Sequence, residues 1–106
     1  MTIPSVDPLQ IPQDAPLLDV REQHEWDAGH APGALHIPMS QIEGRVGEVP
    51  AGDVYVVCRS GMRSAQVSAW LAAQGRPAAN VDGGMEAWAQ QGLPMVSESG
   101  GAPTVL

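Results

Sequence analysis

The stretch DVYVVCRSGMRSAQVSAWLAAQG, residues 53–75, constrains the fold more than any other. Its opening, DVYVV (53–57), is β-branched or aromatic almost throughout and reads as a strand. Its close, SAQVSAWLAAQG (64–75), reads as a helix, with Val67, Trp70 and Leu71 on one face and Gly75 as the stop. A strand that passes into a helix without a turn-back signal begins a β-α-β unit, whose strands lie parallel.

The rest of the chain repeats this alternation. PLLDV (16–20) reads as a buried strand, and REQHEWDAGH (21–30) as a helix, acidic in its first turn and stopped at Gly29. GALHIP (33–38) is a short strand bracketed by Xaa-Pro steps. In SQIEGRVGEV (40–49), Ser40 and Glu43 stand at capping-box spacing, but the two glycines predict a short, weak helix. AANV (78–81) is a further strand, and GMEAWAQQG (84–92) a last short helix. Prolines at 4, 8, 12 and 16 leave room only for a short strand near Pro4–Val6. The expectation is one α/β domain: a mostly parallel sheet with helices on both faces. Residues 1–15 form a proline-rich segment belonging to it, 16–95 its body, and 96–106 a flexible tail.

In a parallel sheet, ligands bind beyond the carboxyl ends of the strands. Cys58, the chain's one cysteine, stands at such a point, directly after DVYVV. Two of the five arginines, Arg59 and Arg63, flank it in a lysine-free chain of net charge -7. That charge disfavours nucleic acid and anionic membrane as partners. No apolar run approaches the ~20 residues of a bilayer span, and MTIPSVDPLQIP lacks the basic and apolar regions of a secretory signal. A single cysteine forms no internal disulfide, which fits a cytoplasmic location.

A thiol attacks as thiolate, and a helix N-terminus or nearby arginines lower its pKa. The backbone N–H groups of Ser60, Gly61, Met62 and Arg63 can curl around the sulfur, Gly61 permitting the required turn. A helix beginning near Ser64 adds its positive end, and the arginines would recruit an anionic substrate. The plain alternative is a buried core cysteine, but a core position gives no reason for Arg-Ser-Gly-Met-Arg-Ser to follow it. His24, His30 and His36 lack metal-ligand spacing and read as structural or surface residues.

The sequence resembles the rhodanese family of sulfurtransferases in its small single-domain form. LLDVRE (17–22) with EWDAGHAPGALHIP (25–38) looks like the family's N-terminal motif, VYVVCRSGMRSAQVSAWLAAQG (54–75) like its active-site strand, loop and helix, and VDGGMEAWAQQGLPM (81–95) like its C-terminal motif. HAPGA stands where the family more often has His-Ile-Pro-Gly-Ala. The resemblance implies a five-stranded parallel sheet, and transfer of a sulfane sulfur from thiosulfate or a similar small anionic donor to a thiol or cyanide, through a persulfide on Cys58. It implies that the loop Arg59–Arg63 holds the persulfide, that Asp19 and Arg21 support the site, and that no metal or organic cofactor is required. Asp19 could pair with a loop arginine or accept loop N–H groups. Gly83 and Gly84 would make a tight turn.

Two rivals remain. Cysteine phosphatases and arsenate reductases of related architecture place five residues between Cys and Arg; here four separate Cys58 from Arg63, a narrower loop. The stronger rival is a persulfide carrier or redox-sensing module that exchanges sulfur with a docked protein.

Overall fold

The computed structural model describes residues 3–106. Five strands, β1 (Ser5–Val6), β2 (Leu17–Asp19), β3 (Leu35–His36), β4 (Val54–Val57) and β5 (Ala78–Val81), form one sheet in the order β1-β5-β4-β2-β3. Every pairing is parallel. Three α-helices connect or follow them: α1 (Gln23–Ala28), α2 (Met62–Ala73) and α3 (Gly84–Gln90). This is the α/β architecture expected from the alternation. No helix among the described residues is long and apolar enough to cross a membrane.

Strand β4 shows why the run DVYVV is apolar without interruption. Side chains alternate across a strand, so Val54 and Val56 enter one core with Leu18, Val20, Val67 and Leu71, while Tyr55 and Val57 enter another with Val81, Met85 and Trp88. A central strand covered on both faces needs apolar residues at every position.

The segment 40–49 departs from expectation. It forms two 3-10 stretches, Met39–Gln41 and Glu43–Glu48, the second kinked at Arg45. Ser40 lies inside the first and caps nothing, because a segment with Gly44 and Gly47 gains too little from α-helical hydrogen bonds to hold a regular helix.

The C-terminal segment also departs from the expected loose tail. Val96 and His30 exchange backbone hydrogen bonds of 2.9 Å, and Thr104 N–H donates to Ala28 O at 2.9 Å. The His30 imidazole, stacked on Trp26, reaches Glu98 Oε1 at 2.7 Å. Residues 96–104 therefore lie back along the end of α1. At the other terminus the proline-rich segment supplies edge strand β1; residues 1 and 2 of that segment fall outside the described residues.

The connections after β2 and β4 run to opposite sides of the sheet, since β3 lies outside β2 and β5 lies outside β4. The crevice between the carboxyl ends of these two neighbours is where such a sheet accepts a ligand. Asp19 pairs with Val57 in register, so the next residue of β4's chain, Cys58, emerges at that crevice.

Candidate functional site

The loop after β4 closes on the sulfur of Cys58. Gly61 N–H donates to Cys58 Sγ at 3.1 Å, and the Ser64 hydroxyl lies 3.2 Å from the same atom. Gly61 makes this possible with φ of 109°, a conformation that side chains resist. Helix α2 then starts at Met62, two residues before the sequence pattern predicts, so Arg63 and Ser64 belong to its first turn. Its positive end faces the sulfur.

These contacts set the acidity of the thiol. Cys58 is only 1% exposed, and burial, the largest single influence, pushes its pKa up. The Ser64 hydroxyl and the backbone N–H groups of Ser64, Gly61 and Ser60 together outweigh burial and leave the thiol below its ordinary value.

The loop is held from three sides. From α3, the N–H groups of Met85 and Glu86 donate to the carbonyls of Cys58 and Arg59 at 2.8 and 3.0 Å. Gly84 permits the approach: a Cβ there would lie 2.5 Å from both carbonyl oxygens. The Gly83-Gly84 turn thus seats the first two residues of the loop as well as starting a helix. From β5, Asn80 Nδ2 donates to Gly61 O at 3.2 Å, while its Oδ1 faces the Ser64 hydroxyl. That hydroxyl has one proton, so it serves either Asn80 or Cys58 at a time. From α1, Glu25 grips Arg63 with two hydrogen bonds of 2.8 and 2.9 Å. The Arg63 guanidinium, with further help from the Glu22 N–H and the charge of Arg21, outweighs burial and lowers the Glu25 carboxyl to about 2.

Asp19 does not pair with a loop arginine. Its carboxylate is taken by Arg21, whose Nη2 lies 2.7 Å from Asp19 Oδ2; both side chains are fully buried. Residues two apart at a strand end meet more readily than residues 44 apart, and Arg21 also donates to Gly29 O at 2.7 Å. Arg21 and Asp19 thus brace the turn into α1, and Arg21 bears on the site through its charge beside Glu25. Of the other loop side chains, Arg59 leans toward α3, with Nε 3.6 Å from Glu86 Oε2. Met62 stands 75% exposed.

Sequence reasoning therefore placed Cys58, the loop and Ser64 together but missed Glu25, Asn80 and Glu86. A polar residue in the strand AANV was the one visible sign of Asn80. Glu25 gave none to distinguish it from Glu22, three positions before it.

Comparison with known proteins agrees with this geometry. The family model of the rhodanese-like domain matches residues 6–91. The chain is 43% identical over 90 residues to a sulfurtransferase of Allochromatium vinosum, covering 83% of this chain and 84% of that protein. It is 39% identical over 74 residues to a Bacillus subtilis protein described as the putative sulfur carrier protein YrkF, covering 68% of this chain and 40% of that one. Its fold superimposes on the crystal structure of a rhodanese-like domain protein from Staphylococcus aureus with a TM-score of 0.74 and 34% identity, over 81% of this chain and 91% of the other. On the breadth of these matches, the chain belongs to the rhodanese-like domain family.

Proposed function

We propose that this protein is a sulfurtransferase in which Cys58 carries a sulfane sulfur as a persulfide. The observation that carries the reading is the set of donors converging on Cys58 Sγ: Gly61 N–H at 3.1 Å and the Ser64 hydroxyl at 3.2 Å. They favour the thiolate, the form that attacks sulfur. The thiolate attacks the outer sulfur of the donor, and the donor's S–S bond breaks with its electron pair on the leaving group, sulfite in the case of thiosulfate. A thiol or cyanide then attacks the outer sulfur of the persulfide and restores the thiolate. Arg59, Ser60, Gly61, Met62 and Arg63 form the binding loop, and Ser64 turns its hydroxyl to the sulfur. Asp19 and Arg21 support the loop indirectly, by fixing the turn that presents Glu25.

The phosphatase alternative loses ground on Arg63. An anion-binding arginine would have to offer both guanidinium nitrogens to phosphate, and here both are engaged by Glu25. The carrier alternative draws support from the 39% identity to the putative sulfur carrier of Bacillus subtilis. A carrier and a catalyst share the persulfide and differ in turnover, and a protein donor or acceptor would replace a small molecule.

The test is intact-protein mass spectrometry after exposure to a sulfane donor, then to a thiol. The reading expects the protein to gain one sulfur atom, to lose it to the thiol, and to gain none as Cys58→Ser. Sulfur gained equally by the serine variant would remove Cys58 from the reaction. Repeated turnover with excess donor and thiol distinguishes catalyst from carrier.

A further inference from the structure

Asn80 is the one polar residue of β5, and its backbone is fixed on both sides, in register with Ser5 of β1 and Val56 of β4. Val81, next along the strand, enters the core with Met85 and Trp88 of α3, so the Asn80 side chain turns to the other face, toward α2. There its amide meets both groups that donate to the Cys58 sulfur. Nδ2 donates to Gly61 O at 3.2 Å, on the residue whose N–H reaches Sγ, and Oδ1 accepts from the Ser64 hydroxyl at 2.5 Å. A helical serine ordinarily has a further choice, a carbonyl one turn back. Here that carbonyl is Gly61 O, and its two lone pairs are taken by Ala65 N–H at 3.2 Å and by Asn80 Nδ2. The single Ser64 proton therefore faces two acceptors, Asn80 Oδ1 at 2.5 Å and Cys58 Sγ at 3.2 Å. A neutral sulfur is the weaker acceptor of the two, and a thiolate the stronger.

We propose that Asn80 is a positioning residue that holds the Ser64 proton whenever Sγ is uncharged and yields it when Sγ is a thiolate; its part in sulfur transfer rests on the reading above. In the thiolate the hydroxyl donates to Sγ. On loading, Sγ bonds to the sulfane sulfur as that sulfur's bond to the leaving group breaks, and the electron pair departs on the leaving group. Sγ is left neutral, and the hydroxyl turns to Asn80 Oδ1. On unloading, the acceptor attacks the outer sulfur, the persulfide S–S bond breaks with its pair on Sγ, and the hydroxyl returns to meet that charge. No outside oxidant or reductant enters. The bond to a charged sulfur is the stronger one, so Ser64 on balance still favours the thiolate. Asn80 moderates that preference by favouring both uncharged states of Sγ, thiol and persulfide.

The experiment is a double-mutant cycle on the pH midpoint of Cys58 alkylation by iodoacetamide, with the natural protein, Asn80→Ala, Ser64→Ala and the double variant. In the Ser64→Ala background, Asn80→Ala reports only the anchoring of Gly61. In the natural background it also frees the Ser64 proton for the thiolate, so the shift it causes should lie lower by roughly 0.4–1 pH unit, the worth of one hydrogen bond. The charged groups about the loop are the same in all four proteins and cancel: Arg63 with Glu25 of α1, Arg59 with Glu86 of α3, and Arg21 with Asp19 of β2. Equal shifts in the two backgrounds would make Asn80 a plain brace and overturn the inference. Asn80→Leu, of similar shape, repeats the cycle should the alanine variants fold poorly. A second readout, by mass spectrometry, is the ratio of loaded to free Cys58 at equilibrium with a fixed mixture of thiosulfate and sulfite. Asn80→Ala should lower that ratio by roughly three- to tenfold in the natural background and leave it nearly unmoved in Ser64→Ala. A ratio equally affected in both backgrounds overturns the inference and leaves sulfur transfer standing. No sulfur on Cys58 of the natural protein strikes the sulfur-transfer reading instead, and the alkylation cycle alone then decides where the Ser64 proton goes.

Discussion

The two sides of the Cys58 loop hold the same kind of ion pair on very different terms. On the α1 side, Arg63 meets Glu25 with two short hydrogen bonds, and the carboxylate is 9% exposed against 34% for the arginine. On the α3 side, Arg59 meets Glu86 at one contact of 3.6 Å, with 53% and 44% exposed. Charge is equal on the two sides; geometry and water are not. A half-buried, bidentate pair resists screening and fixes both partners, whereas water and salt dissolve most of the energy of an exposed pair. The α1 pair also bridges the helices that follow β2 and β4, the two strands flanking the crevice. The α1 pair therefore braces the loop, and the α3 pair mainly cancels a charge.

The largest effect should come from breaking the brace. Glu25→Ala strands Arg63 against a partly dry surface and should destabilise the fold by roughly 2–3 kcal/mol, measured by urea unfolding with the slope unchanged. It should also slow sulfur transfer, because α2 and its first-turn donors lose their tether. A loss below about 0.5 kcal/mol would place this pair with ordinary surface contacts.

Acid should erase the same difference. Glu25 falls from 4.5 to about 2 on folding, so the folded state favours its charged form. The stability this contributes is complete above about pH 5 and is lost as pH falls through the folded value. Unfolding curves of the natural protein and Glu25→Gln should accordingly converge between pH 5 and about 2. Curves that stay parallel through that window would mean the carboxylate is not held by Arg63.

Next in size is a change that touches neither arginine. Ser64→Ala removes the hydroxyl that lies 3.2 Å from Cys58 Sγ, and the pH midpoint of thiol alkylation should move up. An unmoved midpoint would assign the hydroxyl to Asn80 alone. The smallest effect belongs to the α3 side: Arg59→Ala should alter stability by less than about 0.5 kcal/mol. A larger loss would make the two sides alike.

What the sequence disclosed and what it hid divide along similar lines. β4, α2 and the loop between them are local: a β-branched run, a glycine and an apolar stripe lie within residues 53–75, and each feature acts on its neighbours. The strand AANV falls at Ala78–Val81 as read, for the same reason. Arg63 and Glu25 are 38 positions apart, and their meeting depends on how α1 crosses the crevice. Composition favours Asp19 as a partner equally well, until Arg21 takes it. The C-terminal segment is rich in glycine and serine, which signals mobility locally, yet its order comes from distant backbone groups of α1 and from His30. Local chemistry is visible in a chain; the choice among distant partners is made by packing.

The central claim is that neutral donors from the loop and α2 outweigh burial and leave the Cys58 thiol more acidic than an ordinary one. The pH dependence of Cys58 alkylation by iodoacetamide tests it most directly. The account predicts a midpoint below the ~8.5 of a free cysteine, persisting when Arg59 is replaced by Ala. A midpoint at or above the free-cysteine value would contradict it, showing that burial outweighs the N–H and hydroxyl donors around the sulfur.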